Sequence, residues 1–141
     1  MADSFAGLPP PNPTVYPADA GDPHHKEARL SVSRATVEET SDCNGLLDSQ
    51  VQFLEGWFKD TLPAAPIEKL AIMRLDGDMY ESTMQALVAL YDKLSIGGFI
   101  IIDDYMLKPC AQAVHEFREQ RRIVDEIQSF DDFRAFWRRS A

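Results

Sequence analysis

Aspartates follow two apolar stretches of the sequence at points where strands could end. Asp76 closes the first stretch and Asp78 follows two positions later, whereas Asp103 and Asp104 follow the second. In an open α/β sheet, ligands bind beyond the carboxyl ends of the strands, so these acids should converge there. Carboxylates that close together repel one another, and a hard divalent cation such as Mg²⁺ relieves that repulsion. The spacing alone leaves two interpretations open: a metal site, or ordinary acids at strand ends with Asp78 as a helix N-cap.

The elements that must position these acids are predicted as alternating strands and helices. Residues 69–76 and 99–102 carry nearly continuous apolar runs, which is typical of buried strands. Between them a helix is predicted to begin at Asp78, with Glu81 in capping-box spacing, and to end at the glycine pair 97–98. Its apolar face is predicted to contain Met84, Leu87, Val88, Tyr91 and Leu94.

A second helix and a hairpin complete the predicted core. Pro109 suits the start of a helix, and the segments 123–130 and 133–139 are predicted as two antiparallel strands. The order strand, helix, strand, helix indicates an α/β fold with a parallel sheet, to which the C-terminal antiparallel hairpin is added.

The N-terminal third differs in composition from this core. Residues 1–28 contain six of the nine prolines, so neither a helix nor a central strand is expected there. A short helix capped by Ser33 should end near Asn44, and a half-buried strand should begin at Val51. We therefore divide the single domain, residues 1–141, into a loop-rich segment (1–50) and a sheet–helix core with the metal site (51–141).

Charge and cysteine content narrow the function classes. Lys and Arg total 14 against 23 Asp and Glu, which gives a net charge of −9. That charge argues against nucleic acid or an anionic membrane as the partner. Two cysteines form no disulfide framework, no apolar run reaches the roughly 20 residues of a membrane span, and the start lacks signal-peptide features. These features favour a soluble cytoplasmic protein.

Six motifs in one order carry a family resemblance. The segments "DSFAGLPPP", "YPADAGDPHH", "GWFKDTLP", "LAIMRLDGDMYEST", "GGFIIIDDY" and "FWRR" run from Asp3 to Arg139. Together they resemble the macrocin O-methyltransferase family, whose members use S-adenosylmethionine and Mg²⁺ to methylate sugar hydroxyls of macrolide and aminocoumarin antibiotics. The resemblance implies the Rossmann-like class I methyltransferase fold and a glycoside acceptor.

The resemblance also implies roles for individual residues. Asp76, Asp103 and Asp104 match the metal positions, and Asp76 is also the candidate general base. The implied cofactor-binding residues are Asp3, Ser4, Gly56 and Trp57, although Trp57 could equally be core packing. The implied acceptor-binding residues are His24, His25 and Tyr105, with a surface loop as the alternative for the two histidines.

The resemblance covers only the C-terminal part of a family member, since its "DSF" motif stands here at residue 3. None of the seven glycines forms a glycine-rich cofactor turn. We therefore expect an N-terminally truncated domain in which Met1 is an internal or misassigned start. Cofactor binding should then be impaired, and strand 69–76 should become an open sheet edge prone to pairing, with a homo-oligomer as one result. The alternative function is a non-catalytic remnant that keeps the acidic cluster as a metal-binding site.

Overall fold

Two separate sheets form the framework of the computed structural model, which describes residues 1–141. The strands are β1 (Ala2–Asp3), β2 (Leu54–Glu55), β3 (Leu70–Leu75), β4 (Leu94–Ile102), β5 (Gln128–Ser129) and β6 (Ala135–Arg138). The helices are α1 (Arg34–Cys43), α2 (Phe58–Thr61), α3 (Tyr80–Leu90) and α4 (Lys108–Arg121). Four short 3₁₀ turns lie at 17–19, 24–26, 28–30 and 91–93.

The larger sheet has the order β3-β4-β6-β5 and is mixed. Strands β3 and β4 are parallel, and β6 is antiparallel to both β4 and β5. The smaller sheet is the parallel pair β1-β2. Strand β3 therefore lies at an edge of the larger sheet, which confirms the expected open edge. Strand β1, which pairs with β2, ends at Asp3.

Helices α3 and α4 cover one face of the larger sheet. That face presents Met73, Leu75, Ile100, Ile102 and Trp137, all at most 9% exposed, and they join one core cluster with residues of the two helices. The helix side of this cluster includes Leu87, Leu90, Cys110, Val114 and Phe117. Pro109 lies in the first turn of α4, as expected.

The predicted start of α3 at Asp78 is wrong. Asp78 has a left-handed backbone (φ +55°), the helix begins at Tyr80, and Met79 occupies the N-cap position without a side-chain bond. Glu81 forms no capping box; its carboxylate accepts a hydrogen bond from the Gln85 amide instead. The strand-to-helix turn is shaped by contacts from elsewhere in the chain, which local spacing does not show.

The predicted end of α3 at the glycine pair is also wrong. The helix ends at Leu90, and Gly97 and Gly98 lie inside β4, where the pairing with β3 shifts register between Leu70 and Ile72. Gly97 adopts φ +85°, and a Cβ on Gly98 would lie 2.7 Å from a β3 carbonyl oxygen. The pair therefore forms a bulge that lets two backbones approach closely.

Several predicted boundaries are too generous. The hairpin strands shorten to β5 and β6, and the strand from Val51 shortens to β2. Val88 is 56% exposed, while Thr83 and Ala86 are buried in its place. The N-terminal predictions are closer: Ser33 caps α1 by accepting a hydrogen bond from the Thr36 N–H at 3.2 Å. None of the helices has the length and apolar character required to cross a membrane.

Candidate functional site

Backbone hydrogen bonds align the carboxyl ends of β3 and β4. The Asp103 N–H donates to the Leu75 carbonyl at 2.9 Å. One carboxylate oxygen of Asp104 then accepts hydrogen bonds from the N–H groups of Gly77 and Asp78, each at 3.0 Å. These bonds fix the loop after β3 against the end of β4. The acids that follow the two strands therefore lie at one end of the sheet, as their positions in the sequence predict.

Three of these acids, Asp76, Asp78 and Asp104, have raised pKa values. Burial raises the pKa of the Asp76 carboxyl, and the charges of Asp104 and Asp103 raise it further, although Asp76 is open to solvent on one side. Burial likewise raises the pKa of Asp78 and that of Asp104, where the two backbone N–H donors partly offset the effect. The site consequently favours a proton or a cation among these carboxylates.

Asp103 differs from its neighbours because two arginines hold it. The Arg74 Nε donates to an Asp103 carboxylate oxygen at 2.8 Å, and the Arg74 Nη2 contacts the same oxygen. The Arg134 Nε lies 3.8 Å from the other oxygen. The Arg74 side chain is 64% exposed and that of Asp103 is 10% exposed, so this ion pair lies at the surface on its arginine side. No set of three His, Cys, Asp or Glu side chains has the geometry to hold a metal ion.

A cavity of about 500 Å³ opens beside this acidic group. Its wall includes Asp76 together with all four residues assigned to the cofactor by resemblance, Asp3, Ser4, Gly56 and Trp57. Asp3 ends β1 and Ser4 follows it, whereas Gly56 and Trp57 follow β2, so the cavity lies beyond the carboxyl ends of both sheets. Helix α3 and the proline-rich N-terminal loop complete the wall.

Tight local turns shape the β1–β2 side of the cavity. The Asp3 carboxylate accepts a hydrogen bond from the Phe5 N–H at 2.6 Å, and the Ser4 Oγ donates to the Gly7 carbonyl at 2.7 Å. Gly56 has φ +136°, and a Cβ there would lie 2.7 Å from the Thr61 methyl group. Only glycine fits that position without displacement, which keeps the backbone open at this part of the wall.

Asp19 is a structural residue of the site that sequence reasoning missed. Its side chain is fully buried, and its two carboxylate oxygens accept hydrogen bonds from the backbone N–H groups of Tyr80 (2.7 Å) and Glu81 (2.9 Å). It therefore caps α3 from about sixty residues away in the chain. The residue sits in a proline-rich loop without any local helix signal, so no sequence pattern could have identified this role.

The residues assigned to the acceptor do not line the cavity. Burial raises the Asp78 pKa, and the positive charge of His24, when protonated, partly offsets that rise. The His24 Nδ1 is 2.9 Å from an Asp22 carboxylate oxygen. The His25 Nδ1 is 3.1 Å from the Asp22 carbonyl. The Tyr105 hydroxyl lies 3.0 Å from the Nε2 of His115 on α4. Substrate contacts by these three residues stay predictions.

Known proteins are similar in sequence to this chain over its whole length. The family described as macrocin-O-methyltransferase (TylF) matches residues 1–139. The chain is 48% identical over 144 aligned positions to the mycinamicin III 3''-O-methyltransferase of Micromonospora griseorubida, which covers all of this chain and 57% of that protein. It is 46% identical to a tetracenomycin 4'-O-methyltransferase of Streptomyces olivaceus whose named substrate carries a dimethoxy-alpha-L-rhamnosyl group, again covering all of this chain but 54% of the relative.

A solved structure shows the same arrangement of elements. The O-methyltransferase NovP is 46% identical to the chain and superposes with a TM-score of 0.95, covering 99% of this chain and 59% of NovP. The chain thus has the fold of these methyltransferases. It spans little more than half the length of the relatives it matches.

Proposed function

The chain belongs to the macrocin O-methyltransferase family, and from that premise we propose that it carries the acceptor and metal side of an S-adenosylmethionine- and Mg²⁺-dependent sugar O-methyltransferase. The proposed acceptor is a sugar hydroxyl on a glycosylated natural product of antibiotic biosynthesis. The observation that supports this most directly is the cavity, because Asp76 and all four proposed cofactor residues line the same wall.

The cavity fits a nucleoside-containing cofactor. Its volume of about 500 Å³ falls within the roughly 300–1,000 Å³ typical of small-molecule sites. Asp3 and Ser4 would hold the ribose with side-chain oxygens, and Trp57 would stack on the adenine next to the open backbone of Gly56. A Cβ at Gly56 would displace the Thr61 methyl group that supports this wall. We propose that the chain alone binds the cofactor weakly, because its glycines provide no glycine-rich turn.

The acids fit a hard cation in part. Asp76 and Asp104 offer free oxygens in a site whose carboxyl pKa values are already raised, and Mg²⁺ prefers oxygen ligands. Asp103 is the third proposed ligand, yet its carboxylate is bound to Arg74. We propose that Asp103 would exchange its contact with Arg74 for the cation, because an ion pair with an exposed guanidinium is weak.

When bound, the cofactor supplies an electrophilic methyl group, and the cation lowers the pKa of the acceptor hydroxyl. Asp76 accepts the hydroxyl proton on a carboxylate oxygen, and its raised pKa brings it closer to the range in which a general base works well. Asp22 holds the His24 ring through Nδ1, so the opposite Nε2 remains available to position the acceptor beside Asp78.

The second candidate function is a non-catalytic segment that retains the acidic group. The contact between Asp103 and Arg74 favours this alternative, because it leaves no assembled set of three ligands. In that case the acidic group binds a cation but carries out no methyl transfer.

Metal titration tests the metal site that both functions include, whereas cofactor binding and methyl transfer separate them. We expect calorimetry with Mg²⁺ to show binding that Asp103→Asn weakens at least about tenfold, and that Arg74→Gln strengthens because Asp103 is released. Asp42→Asn, on the exposed side of α1, should leave the heats unchanged. Equal heats for the parent chain and Asp103→Asn, with no gain in Arg74→Gln, would overturn the assignment of Asp103 as a metal ligand.

Cofactor binding is tested on the other side of the cavity. Because hydrogen bonds to a charged group contribute about 1.5–3 kcal/mol, Asp3→Asn should weaken S-adenosylhomocysteine binding about tenfold or more, measured by calorimetry. Asp42→Asn again serves as the control. If both variants bind like the parent chain, Asp3 does not hold the cofactor and the assignment of this wall fails.

A further inference from the structure

Two buried side-chain N–H groups have no hydrogen-bond acceptor in the chain, and they are neighbours. They are the Nη1 of Arg118, near the end of α4, and the Nε1 of Trp137 on β6. Trp137 is 1% exposed, and the Arg118 Cζ lies 4.8 Å from the centroid of its ring. Buried donors are nearly always paired in native proteins, so one shared acceptor is the simplest explanation for two adjacent donors of this kind.

The other contacts of this guanidinium leave it without a carboxylate partner. The Arg118 Nη2 donates to the Asp125 carbonyl, whereas the Asp125 carboxylate accepts hydrogen bonds from the N–H and the hydroxyl of Ser140. None of the ion pairs in the chain includes Arg118. Burial lowers the Arg118 pKa, although arginine stays protonated at neutral pH. A buried cation is normally paired with a negative charge, and here the chain supplies none in direct contact.

We propose that Arg118 and Trp137 form an internal binding site for a small monovalent anion of the halide class. Both N–H groups donate to the anion, and its charge offsets that of the guanidinium. The bound anion ties the end of α4 to β6, which is an interior strand of the larger sheet. This inference goes beyond the proposed reaction, because the acids of the candidate site lie before the start of α4 and this pair lies near its end.

The chemistry of the two unpaired atoms favours an anion over a water molecule. Both atoms are donors, and no buried side-chain oxygen lacks a hydrogen-bond partner. A water molecule can accept from both donors, but its own two O–H groups then need acceptors as well. A halide only accepts, so it satisfies both donors without adding an unpaired group. Hydrogen bonds to a charged acceptor are also stronger than those to a neutral one.

A small cavity gives the site a route to solvent. The cavity has a volume of about 280 Å³, and its wall includes Asp125 and Ser140. The carbonyl of the same Asp125 accepts the hydrogen bond from the Arg118 Nη2. The guanidinium therefore lies directly behind the cavity wall, and a small ion can reach it without unfolding of the core.

Chloride is the probe, and the Trp137 indole N–H reports its binding. The 141-residue chain is titrated with sodium chloride against sodium gluconate at constant ionic strength, while proton–nitrogen NMR records the indole signals of both tryptophans. Trp57→Phe identifies which signal belongs to Trp137. We expect the Trp137 signal to move along a saturation curve in the millimolar range while the Trp57 signal stays in place. Chloride should also raise the melting temperature relative to gluconate, because a ligand that binds only the folded chain stabilises it.

Three variants make the test specific. Trp137→Phe keeps an aromatic ring but lacks the N–H donor, so the rise in melting temperature with chloride should disappear. Arg118→Gln leaves the Trp137 signal readable, and its chloride affinity should fall about tenfold or more. Arg122→Gln is the matched control, because it removes one positive charge at an exposed position just after α4 and should keep the full chloride response. Arg118→Gln removes a buried charge and should fold, so it decides the outcome if Trp137→Phe does not fold.

Each other outcome overturns the proposal. A Trp137 signal that does not respond to chloride removes the anion site, and an Overhauser contact between its N–H and water then identifies a water molecule as the occupant. A shift common to both tryptophans, or one lost equally in Arg122→Gln, is a general salt effect. A response that survives both Trp137→Phe and Arg118→Gln places the anion elsewhere. No arm measures cofactor binding or methyl transfer, so failure here and failure of the proposed function are separately visible.

Discussion

Removing the Asp19 carboxylate should destabilise the fold at the start of helix α3. Asp19 is fully buried and accepts hydrogen bonds from the Tyr80 and Glu81 N–H groups. In Asp19→Ala both donors lose their partner in a place that water does not reach, at about 1–3 kcal/mol each. An exposed N-cap replaced by alanine costs about 1 kcal/mol, and the burial here argues for more. We expect a loss of roughly 3 kcal/mol in the free energy of unfolding, a large part of the ~5–15 kcal/mol of a typical domain.

Urea unfolding followed by circular dichroism measures this loss, and two further variants calibrate it. Asp19→Asn keeps one acceptor oxygen but loses the negative charge at the helix N-terminus, so it should fall about midway between parent and alanine. Asp42→Ala, at an exposed position of α1, should stay within about 0.5 kcal/mol of the parent. If Asp19→Ala also unfolds within about 0.5 kcal/mol of the parent, the reasoning on this buried cap is refuted.

Two more predictions follow from the titration of buried groups. The pKa of Asp76 is raised in the folded chain, so the stability from its protonation is fully present below about pH 3.8 and is lost as the pH rises through the folded pKa. Asp76→Asn should therefore flatten this pH dependence. In metal-free buffer at pH 7 it should also stabilise the chain by on the order of 1 kcal/mol, measured by urea titration. A loss of stability in this variant would contradict the account. Burial raises the pKa of the Cys110 thiol to about 12, whereas Cys43 is exposed. A thiol reagent should therefore label Cys110 at least about a hundredfold more slowly than Cys43, and unfolding in urea should make the two labelling rates equal. Comparable labelling rates in the native chain would be inconsistent with this burial.

Elements with local signals were predictable from the sequence. Ser33 marks the start of α1, Pro109 marks the start of α4, and the apolar run before Asp76 marks β3. In each case the residues that form the element also carry the signal, through a cap, a fixed φ or a continuous apolar run. The position of the acids at strand ends was predictable for the same reason, since it depends only on where two apolar runs stop.

Features that depend on distant contacts were not predictable. The cap of α3 comes from Asp19, and the left-handed turn at Asp78 is held by the Asp78 N–H, which donates a hydrogen bond to the Asp104 carboxylate, so local spacing suggests the wrong helix start. The sequence predicts a helix end at Gly97 and Gly98, because glycine has the same sequence signal in a helix cap and in a β-bulge. The pairing of Asp103 with Arg74 also depends on register between two strands, which the sequence does not specify.

The double role of Asp104 connects the fold to the proposed chemistry. One of its oxygens binds the N–H groups of Gly77 and Asp78, so it fixes the loop that carries Asp76 even without a ligand. Burial, together with the neighbouring negative charges, raises the pKa values of Asp76 and Asp104, which is unfavourable for the folded chain at neutral pH. A cation held by these carboxylates would relieve the repulsion between them. The raised pKa values of the free site and its fit to a positive charge therefore have a common cause.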